Sequence, residues 1–273
     1  MPINHAQHTL HAKDGTTLSA QTWRPDDAVA ELLVIPGYAD HAARYRELAH
    51  NLAEQNIATI AVDPRGHGES SGKRGHIASW GDYLADVDAA WELFQGDTRF
   101  VLGHSQGGTI ALDYVAKRTP ELNGLVVTNP FLDVSMKVPA IKVWAGKILG
   151  RIFPGLTMGN EIDPAVISTD PAMVDSYARD PLVFRVTTAG WFIETLAAQA
   201  RVSAMRELAR PLLYIFIAAD PLVSSPANRA LSEQLESPDK TVWVREDERH
   251  EVLNEVNRTD LHRQIGEWII AHG

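Results

Sequence analysis

A chain of 273 residues with 45% hydrophobic and 22% charged side chains has room for one large domain, or for a domain with an insertion. Its formal charge of −10 speaks against nucleic acid as a partner and against general attraction to anionic lipid. The absence of cysteine excludes disulfides, thiolate catalysis and cysteine metal sites.

The opening residues, Met1-Pro2-Ile3-Asn4-His5-Ala6-Gln7-His8, have neither the basic start nor the apolar centre of a signal peptide. No apolar run approaches the roughly eighteen residues of a membrane span, so a cytoplasmic protein is expected. Residues 5–11 and 16–23 read as two strands joined by a hairpin turn at Lys13-Asp14-Gly15. Glu31-Leu32-Leu33-Val34-Ile35 is a continuous apolar run suited to a strand covered on both faces. A helix is expected over Arg44–Gln55, a strand over Ile57–Val62 and a helix over Trp80–Phe94. Arg99-Phe100-Val101-Leu102 is a further strand, Gly108–Ala116 has helical spacing that Pro120 stops, and Leu125-Val126-Val127 is a strand again. This alternation predicts a parallel sheet flanked by helices.

The rhythm breaks after Asn129-Pro130. Residues 131–205 contain no convincing strand, several helical stretches and a helix start at Asp170-Pro171. Strands and helices return with Leu212–Ile217, Pro226–Leu235, Thr241–Val244 and Arg258–Ala271. The expected organisation is one sheet domain, residues 1–130 and 206–273, interrupted by a helical cap over 131–205.

The strongest chemical signal is Gly103-His104-Ser105-Gln106-Gly107 between a strand and a helix. Small flanking residues allow a turn sharp enough to hold a serine hydroxyl clear of the sheet as a nucleophile. Such a serine needs a base and a group that orients the base, in the chain order serine, acid, histidine. His250 lies between the last strand and the last helix, at the carboxyl edge of the sheet where open α/β sheets keep their sites. His262 and His272 fall in the last helix and read as solvated; His104 reads as a packing residue. Asp220 follows the Leu212–Ile217 strand at the same edge. Glu246, Asp247 and Glu248 compete as acids but sit in a charged run, Arg245–Arg249, that reads as a solvated loop. The two backbone donors for an oxyanion are expected at Gln106 and at Tyr38, in the loop Pro36-Gly37-Tyr38.

These stretches carry a family resemblance. Pro36-Gly37-Tyr38-Ala39-Asp40-His41-Ala42-Ala43-Arg44-Tyr45 resembles the H-G-x-x-x-H-x-x-R-Y loop of monoacylglycerol lipases and bacterial lysophospholipases. Asp63-Pro64-Arg65-Gly66-His67-Gly68-Glu69-Ser70-Ser71-Gly72 resembles their D-x-R-G-H-G-x-S-x-G loop, and the segments at Gly103, Asp220 and His250 match as well. The resemblance implies an α/β-hydrolase fold with an inserted helical cap, and a serine carboxylic-ester hydrolase with Ser105, Asp220 and His250 as its triad. It also makes Asp63, Arg65 and His67 a structural loop. Three departures stand out: Pro36 in place of His, Ile217 in place of a Gly that would ease the turn to Asp220, and the charged run, whose carboxylates could raise the pKa of His250.

The expected substrate is a small lipid ester with one acyl chain, and no cofactor or metal is called for. Other enzymes with the same triad remain open: a general esterase, a cofactor-free haloperoxidase or a proline-specific peptidase. So does a non-catalytic ligand-binding protein. In the cap, Val138–Phe153 reads as an amphipathic helix with Lys147 and Arg151 outside its apolar half. Either it packs on the core with its charges in water, or it also rests transiently on a membrane surface. In both readings its apolar side roofs the site, so Trp144 and Ile148, with Gly37, are expected against substrate. Oligomeric state has no signal in the sequence.

Overall fold

The computed structural model describes residues 2–136, 140–160 and 162–273, without the side chains of 140–143 and 145. The start of the expected Val138–Phe153 helix, with Lys137, Val138, Ile141, Lys142 and Val143, therefore lies outside the described residues or side chains. The chain opens with the antiparallel hairpin β1 (Ile3–His11) and β2 (Thr17–Pro25). Then β3 (Ala30–Ile35), α1 (Arg46–Ala53), β4 (Ile57–Val62), α2 (Trp80–Trp91), β5 (Arg99–His104), α3 (Gln106–Arg118) and β6 (Gly124–Thr128) alternate. An insertion follows, made of α4 (Ala140–Ile152), β7 (Thr157–Gly159), α5 (Pro171–Arg179), β8 (Val186–Thr188) and α6 (Ala189–Ser203). The fold ends with β9 (Leu212–Ile217), α7 (Ser225–Gln234), β10 (Lys240–Arg245) and α8 (Arg258–Ala271).

The main sheet has the order β1-β2-β4-β3-β5-β6-β9-β10 and is parallel from β4 to β10. Every residue of β3, β4, β6 and β9 is buried, as expected of apolar strands covered on both faces. Alternate residues feed two cores. Leu33 and Ile35 pack with α2, α3 and α7, whereas Leu32 and Val34 pack with α1 and α8.

The insertion departs from the sequence expectation in two ways. β7 and β8 form a small antiparallel pair, Thr157 opposite Thr188 and Gly159 opposite Val186. Three residues per strand are too few for alternation to be legible in sequence. In addition, Trp191, Ala198 and Val202 of α6 belong to the same core as α3, so the last cap helix is seated in the sheet domain. The direction of α4 also differs from the roof expected of it. Its contact with α6 is made by Gly146 and Gly150, where a Cβ would lie 2.8 Å from Phe192 and 2.4 Å from the Ala189 carbonyl. With the two glycines turned inward, Trp144 and Ile148 face away, 61% and 37% exposed.

Candidate active site

Ser105 joins β5 to α3 with φ 52° and ψ −118°, a strained conformation for a residue with a side chain. The turn is possible because its neighbours are glycines: a Cβ on Gly107 would lie 2.0 Å from the Ile35 carbonyl, and one on Gly103 2.3 Å from the Gly107 carbonyl. The Ser105 N–H donates to the Thr128 carbonyl at 2.9 Å, and the Ser105 carbonyl accepts from the Phe131 N–H at 2.9 Å.

The structure brings Ser105, His250 and Asp220 together. The Ser105 hydroxyl donates to His250 Nε2 at 2.9 Å, and His250 Nδ1 donates to Asp220 Oδ2 at 2.8 Å. The other Asp220 oxygen accepts from the N–H groups of Leu222 and Val223 at 2.7 and 3.0 Å. Ile217 does not displace this turn: its N–H donates to Asn129 Oδ1 at 2.8 Å and the carboxylate stays on the imidazole. Burial alone pushes His250 down, but the charge and hydrogen bond of Asp220, with the charges of Glu251 and Asp40, raise it above the ordinary 6.5. Burial likewise pushes Asp220 up, and the His250 charge and the hydrogen bonds it accepts bring it below the usual range. The carboxylates that raise His250 are Asp220 and then Glu251 and Asp40, the last two ion-paired to the half-buried Arg44, and not those of the Arg245–Arg249 run from which this was expected. Within the run, Glu248 is engaged by Arg245.

The loop after β3 lies against the nucleophile. A Cβ on Gly37 would be 3.3 Å from Ser105 Cβ and 3.2 Å from His104 Cδ2. Among the described residues, neither the Tyr38 nor the Gln106 N–H has a protein acceptor. Both side chains are held by the cap: the Tyr38 hydroxyl donates to the Val186 carbonyl at 2.6 Å, and Gln106 Oε1 accepts from Trp191 Nε1 at 2.9 Å. A cleft of about 540 Å³ opens on the far side of Trp191, with Phe131, Val134, Met136, Trp191, Phe192 and Leu196 as its apolar wall. Trp144 and Ile148, expected in that wall, are not part of it.

His104 is buried, paired with Thr128 Oγ1 at 2.9 Å, and held down to about 3 by burial and by the charge of His250. His262, read as solvated, is fully buried; it reaches the Leu253 carbonyl and the Asn51 amide, both at 2.9 Å. In the Asp63–Gly72 loop, Asp63 accepts from the N–H groups of Ala42 and Glu69, and Arg65 grips Asp86. Asn129 was missed as a site residue. It sits at the end of β6 with φ 45°, donates to the His250 carbonyl at 2.7 Å, and accepts from Ile217. The one available signal was an Asn, a residue tolerant of left-handed backbone, closing an apolar strand. Among the described residues, no group of three or more His, Asp or Glu side chains is arranged to hold a metal.

A strained serine on a parallel strand, with its imidazole and carboxylate on loops after later strands of the same sheet, defines a serine hydrolase of the α/β-hydrolase fold. A family model described as "Serine aminopeptidase, S33" matches residues 26–257, and the chain belongs to this family of α/β-hydrolases. It is 33% identical over 280 residues to the monoglyceride lipase of Mus musculus, covering 98% of this chain and 91% of that protein. An uncharacterised abhydrolase domain-containing protein of Dictyostelium discoideum is 34% identical over 95% of this chain, which spans only 28% of that longer protein. The crystal structure of Paleococcus ferrophilus monoacylglycerol lipase superposes with a TM-score of 0.83 at 29% identity, covering all of both chains.

Proposed function

We propose that this enzyme hydrolyses carboxylic esters of lipids with a single acyl chain, of monoacylglycerol or lysophospholipid type. Ser105 Oγ attacks the ester carbonyl while His250 Nε2 takes its proton, and Asp220 steadies the imidazolium. The oxyanion that forms faces the N–H groups of Tyr38 and Gln106. His250 then returns the proton to the leaving alcohol, and water, activated by the same imidazole, releases the acid from Ser105. The observation that carries the substrate class is the largely aromatic and aliphatic cleft walled by Trp191, the residue whose indole N–H holds the Gln106 side chain. Its volume suits one acyl chain, and its single carboxylate, Asp133, is exposed.

The exposed stripe of the cap supports a second element of this reading, transient contact with a membrane surface. Trp144, Ile148, Ile152, Phe153 and Leu156 are 37–62% exposed, with Lys147 and Arg151 beside them. Among the described residues no helix is long and apolar enough to cross a membrane, so the contact is peripheral.

The test is kcat/KM across an acyl series of monoacylglycerols, lysophospholipids, short esters and peptide amides. The expected maximum falls at medium to long single chains, with triacylglycerols poor. A maximum at acetate, or on the amides, overturns the reading.

A further inference from the structure

Resting on the reading of Ser105 as nucleophile, we propose that Trp191 of the cap is a positioning residue for both backbone N–H groups that receive the oxyanion. The indole is 7% exposed and touches each element of that arrangement. Its Nε1–H holds the buried carboxamide of Gln106, the first residue of α3. Its ring lies 4.2 Å, centroid to centroid, from that of Tyr38. On the other side it lies nearly parallel to Phe131 at 6.4 Å, and the Phe131 N–H is one of three, with those of Gly108 and Thr109, that grip the Ser105 carbonyl.

The segment around Trp191 is itself fixed to the sheet domain. Thr188 Oγ1 accepts from the Trp191 N–H at 3.3 Å and donates to the Gly75 carbonyl at 2.9 Å, while the Val186 carbonyl takes the Tyr38 hydroxyl. One short stretch of cap, Val186–Trp191, thus anchors the side chains of both expected donors. A carboxamide as buried as that of Gln106 keeps its rotamer only while its oxygen has a partner, because an unmet buried acceptor is costly. Without the indole N–H, the Gln106 carboxamide loses this partner and repacks under the first peptide of α3, and the N–H of that peptide shifts within the hold that Phe131, Gly108 and Thr109 keep on the Ser105 carbonyl. Trp191 also walls the acyl cleft, so the group that meets the chain is the group that sets the donors.

The effect belongs to the transition state, because the donors meet full negative charge only there. Trp191→Phe keeps the packing and removes the N–H. With p-nitrophenyl butyrate it should lower kcat by roughly tenfold or more and change KM less than about twofold. A trifluoromethyl ketone, whose serine adduct carries an oxyanion, should lose affinity in parallel with kcat/KM. Gln106→Met removes the acceptor instead and should reproduce the loss; the double variant should be no worse than either single one. If Trp191→Phe fails to fold, Gln106→Met tests the same hydrogen bond. Folded single variants with kcat within about twofold of the parent, or losses that add in the double variant, overturn the proposal. A parent enzyme inactive on every ester overturns the esterase reading itself, and this one with it.

Discussion

The carboxamide of Asn129 joins two site loops: its Nδ2 donates to the His250 carbonyl at 2.7 Å while its Oδ1 accepts from the Ile217 N–H at 2.8 Å. It ties the strand that leads to the acid to the loop that carries the base. The residue is fully buried, so removing it leaves both partners without water. Asn129→Ala should destabilise the fold on the order of 3 kcal/mol, a fall in Tm of roughly 5–10 °C. Its kcat should drop about tenfold as His250 loses its anchor. Asn129→Gly relieves the left-handed backbone at φ 45° and should recover part of the Tm but none of the kcat. An Asn129→Gly variant with full turnover would show that the His250 loop holds itself.

The charge of Asp220 is expected to be visible in the pH profile as well as in the rate. As the proposed base, His250 must be neutral to accept the serine proton, and its pKa lies above 6.5 because Asp220, Glu251 and Asp40 outweigh burial. The rising limb of kcat/KM should therefore have its midpoint above 6.5. Asp220→Asn should cost on the order of 10⁴ in kcat and move that midpoint to lower pH, since burial then acts with less opposition. Asp247, exposed in the charged run, should do neither when changed to Asn. A limb that stays put in Asp220→Asn would mean that another group governs the histidine.

Buried histidines contribute to how the fold responds to acid. Burial holds His67 and His262 down to about 4 and His104 to about 3, against 6.5 when unfolded. Between those values the unfolded chain binds protons that the native state refuses, so stability falls as pH drops from 6.5 towards 4. Each histidine contributes about 1.4 kcal/mol per pH unit inside that window. His250, raised, works in the opposite sense: its contribution is full below 6.5 and is lost as pH rises through its folded value. Urea unfolding at pH 7, 6, 5 and 4.5 should show the loss, and His262→Gln should lessen its slope. A slope unchanged in that variant would mean His262 is not one of the groups responsible.

The parts of the fold that were legible are those governed by local pattern. The strands Ile57–Val62 and Leu212–Ile217 end where the apolar runs end, because both faces are buried. Ser105, Asp220 and His250 could be grouped from the sequence because each follows a strand at one edge of a parallel sheet. What escaped depends on partners distant in sequence. His262 read as a surface residue because Leu253 and Asn51, which bury and pair it, come from other elements. The indole of Trp191 and the amide of Gln106 are 85 residues apart. The apolar stripe of α4 was visible, but periodicity cannot tell inside from outside when two glycines make the contact.

The orientation of α4 leads to the final expectation. Trp144, Ile148 and Ile152 recur at four-residue spacing on one side of the helix, while Gly146 and Gly150 hold the opposite side against Phe192, Ala189 and Ile193. An apolar stripe of this size in water is costly unless something covers it, and Lys147 and Arg151 at its margin suit the headgroups of an anionic lipid surface. Burying one large side chain at an interface is worth about 1.5 kcal/mol or somewhat more, roughly a factor of ten in partition. Trp144→Ser with Ile148→Ser should therefore weaken co-sedimentation with phosphatidylglycerol-containing vesicles by roughly a hundredfold. Turnover of soluble p-nitrophenyl butyrate should stay within about twofold, because neither side chain lines the cleft beside Trp191. Hydrolysis of vesicle-borne monoacylglycerol should fall with binding, and added salt should imitate part of the effect through the two cations. If the double variant binds vesicles as the parent does, the stripe does not face a membrane. If instead soluble turnover collapses with binding intact, α4 acts on the site through α6, and its exposed face serves some other contact.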